Sequence, residues 1–375
     1  MQTIEKLQRL GNAASWDSCG GVKQKSLRKA GIPASYADFV HDCSNTSENC
    51  KLVKVLQSNS CVHDCRYCVN SCGKQQKLEL GPEELAHSFN AFARTGMVQG
   101  LFLSSGVAGN VEKANEKMIE TARLLRRKLG FFGYMHLKVL PTTPKEQVMQ
   151  LAKYANRLSL NLEVPGKGFF EGLSSTKDYA NDLMKRLRWV DEAKRKGKVA
   201  SFTTQFILGA AGETDLDVLK SMNRLYDETS LHRTYFSAFQ PIKGTALYGM
   251  AAEKEAREHQ LYQADWLLRI YGFRLKEVEL ALNDGKNFGN ARDVKFEVAL
   301  GNPNLFPVDV NHASREELLR VPGIGPKGAE KVLELREQRK FREFKELRQA
   351  GVIVKRAQSF IQVEGARQAR IASFC

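Results

Sequence analysis

The segment Cys61-Val62-His63-Asp64-Cys65-Arg66-Tyr67-Cys68 holds three cysteines separated by three and then two residues. It closely follows Leu52-Val53-Lys54-Val55-Leu56, a largely apolar run that predicts a buried strand. This spacing lets one loop place three thiolates around a [4Fe-4S] cluster and leaves one iron without a protein ligand, so that iron can bind a small chelating molecule. A zinc loop is the alternative interpretation of the same residues.

The other cysteines are also concentrated near this loop. Six of the eight cysteines lie between Cys43 and Cys72, a distribution typical of metal or redox chemistry rather than of a secreted disulfide scaffold. Four of the cysteines outside the loop are candidates for an auxiliary Fe-S cluster or a zinc site, because four thiolates complete either site: Cys19, Cys43, Cys50 and Cys72. Ordinary buried cysteines are the alternative.

Alternating strand and helix patterns predict a parallel sheet. Strands are predicted at 52–56, 100–104, 134–140, 157–164, 201–208 and 234–240, with helices between them. Strand–helix repeats of about 30 to 50 residues, as here, are typical of right-handed βαβ units. The predicted fold class is therefore α/β, a partial (β/α)6 barrel of the TIM type, followed by a helical region at 254–282.

Two of the predicted strands carry polar residues in alternation. Ser159, Asn161 and Glu163 lie opposite a leucine face, and His136 and Lys138 alternate with apolar residues in the same way. A packed small barrel interior would be apolar, so this pattern predicts a cavity that holds a polar molecule. We expect His136 and Lys138 to contact substrate. Half-exposed antiparallel strands and satisfied interior polar groups are the alternatives.

The cysteine triplet, with Tyr67 before its last cysteine, resembles the hallmark of the radical S-adenosylmethionine (SAM) superfamily. The resemblance implies that Cys61, Cys65 and Cys68 ligate a catalytic [4Fe-4S] cluster. It implies that the amino and carboxylate groups of SAM bind the open iron, and that SAM is cleaved to a 5′-deoxyadenosyl radical. A reductant such as flavodoxin or ferredoxin is implied as a partner.

Further segments resemble the SAM-contacting motifs of that superfamily. Ser104-Ser105-Gly106 stands where a glycine-rich turn meets the SAM amino group, although Gly-Gly-Glu is commoner there. Ser159, Asn161 and Glu163 correspond to polar contacts from the fourth strand. Gln205 and Gly209 fall in a stretch, 205–213, that is similar to the motif along the adenine. Tyr67 completes this SAM-binding set.

The stretch Val321-Pro322-Gly323-Ile324-Gly325-Pro326-Lys327-Gly328-Ala329 lies between helical patterns at 314–320 and 327–339. Gly323 and Gly325 permit a tight hairpin whose N–H groups can bind a phosphate at the start of the second helix. Lys327 and Lys331 add positive charge there. The stretch resembles the helix-hairpin-helix DNA-binding motif and implies an all-α C-terminal domain. A purely structural helical hairpin is the alternative.

Nearly the whole chain resembles the DNA modification or repair radical SAM proteins that are sometimes encoded beside a uracil-DNA-glycosylase-like protein. Besides the cysteine loop, the resemblance is carried by Trp16-Asp17-Ser18-Cys19, by residues 100–106 and by Phe306-Pro307-Val308-Asp309-Val310-Asn311. It implies a Cys-containing extension over 1–50, a radical SAM barrel over 51–250, a helical linker or docking region over 251–305 and a helix-hairpin-helix DNA-binding domain over 306–375.

These features predict an enzyme that modifies or repairs a base in duplex or single-stranded DNA, with a pyrimidine 5-substituent as one target. An RNA-modifying radical SAM enzyme and a non-catalytic Fe-S DNA-binding protein remain alternatives. A net charge of +15, from 57 Lys and Arg against 42 Asp and Glu, suits a polyanionic partner. The sequence has neither a membrane-length apolar run nor a signal-peptide pattern, so we expect a soluble cytoplasmic protein.

Overall fold

The structure is a computed structural model that describes residues 2–15, 36–42, 50–72, 75–290 and 293–364. The chain divides into two compact units. The first comprises Met1–Glu213 and Leu225–Lys254, and the second comprises Thr214–Arg224 and Glu255–Cys375. Among the described residues, no helix combines the length and the apolar character needed to cross a membrane.

A seven-stranded sheet organises the first unit. Its strands follow one another in chain order, with β1 antiparallel to β2 and every later pair parallel. The strands are β1 (Val40–Asp42), β2 (Lys51–Leu56), β3 (Gly100–Ser104), β4 (Tyr134–Lys138), β5 (Arg157–Ser159), β6 (Ser201–Leu208) and β7 (Arg233–Ala238). The predicted α/β fold of the partial-barrel type is confirmed.

Helices alternate with the strands along this part of the chain. They are α1 (Thr3–Ala14), α2 (Pro82–Arg94), α3 (Val111–Arg123), α4 (Lys145–Tyr154), α5 (Lys167–Phe170), α6 (Lys185–Arg195) and α7 (Asp215–Glu228). Local chemistry sets where they begin: Pro82 opens α2, and the Asn110 side chain accepts hydrogen bonds from the first turn of α3. All five residues of β3 are buried, as expected for a strand covered on both faces.

The strand predictions differ from the structure at particular places. The strand predicted at 157–164 ends at Ser159, and four residues further on Glu163 adopts a left-handed backbone conformation with φ of 67°. The chain beyond Ser159 still follows β6, since Leu160 N donates to Thr203 O at 3.2 Å. Strand β1 was not predicted, because its three residues are too few to show a pattern.

The second unit is mainly helical. It contains α8 (Glu255–Arg269), α9 (Leu275–Glu279), α10 (Val294–Gly301), α11 (Arg315–Arg320), α12 (Pro326–Gln338) and α13 (Val354–Ala357), with a parallel pair of two-residue strands, β8 (Val308–Asp309) and β9 (Ile361–Gln362). The helical region predicted at 254–282 is two helices, α8 and α9, with Gly272 at φ of 72° between them. Leu318, Val332 and Leu347 are fully buried in the core around α11 and α12.

Candidate functional site

Loops at the carboxyl ends of the strands meet at one edge of the sheet, as they do in parallel α/β folds generally. The loop after β2 pairs with the turn after β3: Gly106 N donates to Ser58 O at 2.7 Å, and Val62 N donates to Val107 O at 2.9 Å. This pairing sets the cysteine loop beside the turn predicted to contact SAM.

The three loop cysteines, Cys61, Cys65 and Cys68, line one cavity of about 180 Å³. They form no disulfide. The Ser71 hydroxyl holds the loop closed, because its Oγ lies 2.7 Å from both Cys65 O and Cys68 O. Three thiols that are separated by up to seven positions in sequence therefore face a common space.

Burial makes two of these thiols, Cys65 and Cys68, weaker acids than an ordinary cysteine. It raises the pKa of Cys65, and together with the neighbouring charge of Cys65 it raises the pKa of Cys68 to about 12. The thiols of Cys65 and Cys68 are therefore neutral at pH 7 unless a cation compensates the charge of their thiolates. A metal centre would supply that compensation, since metal binding requires and stabilises the thiolate.

Asp64 anchors the cysteine loop to a distant segment. Its carboxylate accepts hydrogen bonds from Ser174 Oγ at 2.6 Å, from Ser175 N at 3.0 Å and from Thr176 Oγ1 at 2.8 Å. Burial acts to raise its pKa, but these hydrogen bonds outweigh burial and hold the pKa of Asp64 well below its usual range. The anchor brings the next residue, Lys177, to the cavity.

Lys177 lines the cavity and forms a side-chain hydrogen bond with the Cys65 thiol. Burial opposes its charge, yet Cys65 and Glu163 raise the pKa of Lys177 on balance. A protonated ammonium beside the sulfurs would offset the negative charge of bound thiolates.

Polar side chains from successive strand ends form one part of the cavity wall, and apolar residues such as Leu140, Leu160 and Ile242 form another part. Lys138, Asn161, Glu163 and Gln205 line the cavity, as does the turn Ser104-Ser105-Gly106. Glu163 has a positive φ, and both of its backbone polar groups bond to β6. Glu163 N donates to Gln205 O at 3.0 Å, and Ile207 N donates to Glu163 O at 2.7 Å. A non-glycine residue held in this conformation is a feature typical of binding sites.

Tyr67 also lines the cavity and forms a side-chain hydrogen bond with Glu163. Burial and the charge of Glu163 raise the pKa of Tyr67 well above its ordinary value, so the phenol donates to the carboxylate.

The structure does not bring three of the predicted residues to the cavity. His136 is buried and bonds to Ser159 Oγ at 2.8 Å, and neither residue lines the cavity. His136 lies two positions before the lining residue Lys138 on β4, which corresponds to a depth of about 6.6 Å, and Ser159, the last residue of β5, lies two positions before the lining residue Asn161. Gly209 instead forms the turn after β6, where its N donates to Glu213 Oε1 at 2.5 Å.

Two of the lining residues with titratable side chains, Lys177 and His63, were not predicted. Lys177 lies in an irregular segment without a motif, so no local signal identifies it. His63 lies within the cysteine loop, and its Nδ1 contacts Thr176 Oγ1 at 3.3 Å. Among the described residues its buried Nε2 has no hydrogen-bond partner, and burial lowers the pKa of the ring, so a neutral imidazole edge is available to a ligand.

The donor set of the cavity fits a cluster better than a single ion. In the described part of the chain, no three His, Cys, Asp or Glu side chains are grouped to hold one metal ion. A mononuclear zinc site needs its ligands within about 2.3 Å of one point, whereas each cysteine of an iron-sulfur cluster binds a different iron. Three thiols around a cavity, with a neutral histidine and a protonated lysine beside them, fit a [4Fe-4S] cluster with one open iron.

The other cysteines give no second site within the described residues. Cys50 packs against Leu52 and Phe102 at the start of β2. Cys19 and Cys43 lie outside the described residues, as does the segment Trp16-Asp17-Ser18-Cys19, and the side chain of Cys72 is not described. The auxiliary Fe-S or zinc site stays a prediction.

The hairpin between α11 and α12 is compact. Gly323 has a φ of 86°, and its carbonyl accepts from Ile353 N at 2.9 Å. Ile324 is buried in the helical core, whereas Gly325 precedes the first turn of α12 and adds no side-chain cap. Lys327 is exposed in that first turn. Lys331, one turn further on, pairs with Glu334 at 2.8 Å.

Two segments of the chain match models of known protein families. Residues 55–225 match the family model of the radical SAM superfamily. The chain therefore contains a radical SAM domain, and members of that superfamily are enzymes that use a [4Fe-4S] cluster, SAM and a reductant. Residues 304–357 match the model of the helix-hairpin-helix motif, which confirms that this motif is present.

A comparison with solved structures matches this chain to the three proteins that follow, among others. Methylornithine synthase (PylB) shares 14% identity and a TM-score of 0.48, over 71% of this chain and 76% of that one. The FeFe-hydrogenase maturase HydG from Carboxydothermus hydrogenoformans shares 15% identity and a TM-score of 0.45, over 57% of this chain and 50% of that one. A radical SAM methyltransferase from Sphaerobacter thermophilus shares 14% identity and a TM-score of 0.41, over 51% and 57%.

The chain spans about half the length of the hydrogenase maturases that it matches. A search of curated protein sequences gave no match.

Proposed function

We propose that this chain is a radical SAM enzyme that modifies or repairs a base in DNA. The observation that carries the proposal is the presence of a radical SAM domain and a helix-hairpin-helix motif in one chain. Backbone N–H groups at such a hairpin bind phosphate oxygens and hold a nucleic acid without reading its bases. A net charge of +15 supports a polyanionic substrate.

In this proposal Cys61, Cys65 and Cys68 are the cluster ligands. With the cluster and SAM bound, the centre supplies a 5′-deoxyadenosyl radical, which removes hydrogen from C–H bonds that acid–base groups cannot activate. Asp64 keeps the cysteine loop closed through its hydrogen bonds to 174–176, and Lys177 offsets the thiolate charge.

The polar wall of the cavity would orient SAM. Asn161, Glu163 and Gln205 offer amide and carboxylate groups to its ribose and amino acid moieties, and Tyr67 fixes the Glu163 carboxylate by donating to it. Lys138, at the end of β4, is the candidate for contact with an anionic substrate. His136 and Ser159 bond to each other beneath this layer and would support it rather than touch the reactants.

The substrate position follows from the chemistry and from the enclosure of the cavity. A base inside a duplex cannot reach a cavity at the edge of a sheet, so it must leave the stack, and phosphate contacts would hold the strand meanwhile. The 5-methyl group of thymine, or a larger pyrimidine 5-substituent, is a carbon that polar catalysis cannot functionalise. We therefore favour a pyrimidine 5-substituent as the target.

Nucleoside analysis tests the proposal. Anaerobically reconstituted protein is incubated with SAM, reduced flavodoxin or ferredoxin and either DNA or RNA, and the polymer is digested and examined by mass spectrometry. We expect 5′-deoxyadenosine and a new nucleoside mass from DNA, both absent with Cys65→Ala. A new mass from RNA alone would replace DNA with RNA as substrate. Intact SAM would leave a non-catalytic Fe-S DNA-binding protein.

A second variant separates polymer binding from chemistry. Replacing both Lys327 and Lys331 with Ala should leave reductive SAM cleavage in the absence of DNA unchanged. It should weaken DNA binding and reduce the slope of log K against log salt by about 1 to 2, because up to two phosphate contacts are removed.

A further inference from the structure

A second cavity, of about 970 Å³, lies within the second unit between α8 and the hairpin. We call this cavity the hairpin pocket. One wall is a single face of α8, with His259, Tyr262, Gln263 and Trp266 at intervals of one turn or less, continued by Ile270 directly after the helix. The opposite wall is formed by residues 323–328 together with Ile353 and Arg356.

Large apolar side chains are unusually exposed in this pocket. Trp266 is 46% exposed, Ile270 39% and Ile353 52%, although all three line the same space. Exposed apolar groups gathered in one concavity are characteristic of a binding site. The Trp266 indole adds a flat aromatic surface suited to stacking.

The charged groups in the pocket wall are mainly basic. Lys295, Lys327 and Arg356 line it against a single carboxylate, that of Asp293, which pairs with Arg356. Burial lowers the pKa of Lys295 to about 7, so Lys327 supplies most of the net positive charge of the wall at neutral pH. Lys295 donates to Ile324 O at 2.6 Å, and its ammonium lies 4.6 Å from the centre of the Tyr271 ring, so it ties α10 to the hairpin. Lys327, in contrast, is exposed at the pocket.

The hairpin adds groups that suit an anion. Gly325 provides no side-chain cap to α12, and the first-turn N–H groups of Lys327 and Gly328 have no acceptor within the helix. All three residues line the pocket, so the phosphate-binding end of the helix and the Trp266 indole border one cavity.

We propose that the hairpin pocket binds an unpaired nucleotide of single-stranded DNA, with its base stacked on Trp266 and its phosphate at the hairpin. The proposal rests on the proposed function for the identity of the polymer. A nucleotide combines a flat apolar face with an anionic group, which matches the aromatic and basic sides of this pocket. Both faces of a paired base are covered by its neighbours, so stacking on an indole selects an unpaired one. A protein partner would use Ile270 and Ile353 but would leave the basic side unmatched.

The test compares two DNA forms with the full-length protein in the absence of SAM. Fluorescence anisotropy measures binding of a labelled short oligothymidylate and of a labelled duplex of the same length at one salt concentration. Trp266→Ala should weaken binding to the single strand on the order of 10-fold and binding to the duplex less than about 2-fold. Trp266→Phe should restore most of the single-strand affinity. Phe132→Ala, at an aromatic that is 84% exposed and does not line the pocket, should change neither.

The outcomes distinguish the two proposals. Unchanged single-strand binding by Trp266→Ala, or equal losses on both DNA forms, would overturn the pocket assignment while DNA binding itself stands. Failure of the unaltered protein to bind either DNA form would overturn the proposed function and the pocket assignment together, and would favour a protein partner at the apolar residues.

Discussion

Asp64 and Thr176 form a reciprocal pair of hydrogen bonds across 112 positions of sequence: Thr176 Oγ1 donates to Asp64 Oδ1 at 2.8 Å and accepts from Asp64 N at 3.2 Å. The pair fastens the middle of the cysteine loop to the segment that carries Lys177. The loop geometry and the position of the lysine beside Cys65 therefore depend on the same contact.

Asp64→Asn should weaken the hold on the cysteine loop. The carboxylate accepts from three consecutive residues, 174–176, and an amide loses the charge that strengthens these bonds, at a cost of about 1–3 kcal/mol. We expect faster loss of iron from reconstituted protein to a chelator, measured by absorbance. The exposed carboxylate Glu171 is a suitable comparison, and Glu171→Gln should release iron at the rate of the unaltered protein. Equal rates for both variants would contradict the anchoring function of Asp64.

Lys177→Met should lower the reduction potential of the bound cluster. A cationic donor to the Cys65 sulfur stabilises the reduced, more negative state, and a charged hydrogen bond of about 1.5–3 kcal/mol corresponds to a one-electron shift on the order of 100 mV. Potentiometric titration followed by electron paramagnetic resonance measures this shift. Lys177→Arg retains the positive charge and should fall between the two. A potential unaffected by Lys177→Met would show that the ammonium does not act on the cluster.

The sequence predicts the fold because each strand–helix repeat is a local pattern and because parallel strands place their carboxyl ends at one edge. The cysteine loop, the turn at 104–106 and the side chains of Asn161, Glu163 and Gln205 meet there as expected. Depth along a strand is not encoded in the alternation, since every second residue shares a face. His136 therefore lies on the same face of β4 as Lys138 but below the cavity.

Lys177 could not be predicted for a different reason. It belongs to no strand, and its position depends on the tertiary contact between Asp64 and 174–176. Similarly, the left-handed conformation of Glu163, four residues beyond the end of β5, is stabilised by hydrogen bonds to β6 rather than favoured by the residue type.

Gly106→Ala should disturb the turn that supports the cysteine loop. A Cβ at Gly106 would overlap the carbonyl of Ser60, the residue before Cys61, and backbone cannot move aside cheaply. We expect destabilisation of about 1–3 kcal/mol and lower iron incorporation, measured by denaturant unfolding and iron analysis. Gly168→Ala, where nothing lies within 4 Å of the added Cβ, should behave like the unaltered protein. Full iron incorporation by Gly106→Ala would show that the turn adapts.

Acid should destabilise the first unit chiefly through the imidazoles of His41 and His136, with a further contribution from His63, whose pKa is also lowered by burial. Burial, with the charge of Lys54, lowers the pKa of His41 to about 4, and burial, with Arg157 and Lys138 nearby, lowers the pKa of His136 well below 6.5. Both rings are neutral when folded but gain a proton when unfolded below about pH 6.5, so stability is complete above that pH and falls as the pH decreases. Each can contribute up to about 1.4 kcal/mol per pH unit. Urea unfolding of the cluster-free protein between pH 7.5 and 5 measures this slope, which His136→Gln should reduce. An unchanged slope would refute the assignment to His136.

The two hairpin glycines should differ in their tolerance of substitution. Gly323 has a φ of 86°, and a Cβ there would lie 2.6 Å from Ile353 O, so Gly323→Ala combines backbone strain with a collision. A loss of about 2 kcal/mol or more in the stability of the second unit follows, because each effect alone costs about 1–2 kcal/mol. Gly325 has an ordinary φ of −100°, and its nearest neighbour would be the Tyr271 hydroxyl at 3.3 Å, which can rotate away. Gly325→Ala should therefore keep the fold.

Hydrogen exchange of α12 reports stability, and anisotropy with duplex DNA reports binding, in both variants. Equal hydrogen-exchange protection of α12 in Gly323→Ala and Gly325→Ala would show that the left-handed turn does not stabilise the hairpin. A loss of DNA binding in either variant would then have to arise at the phosphate contact.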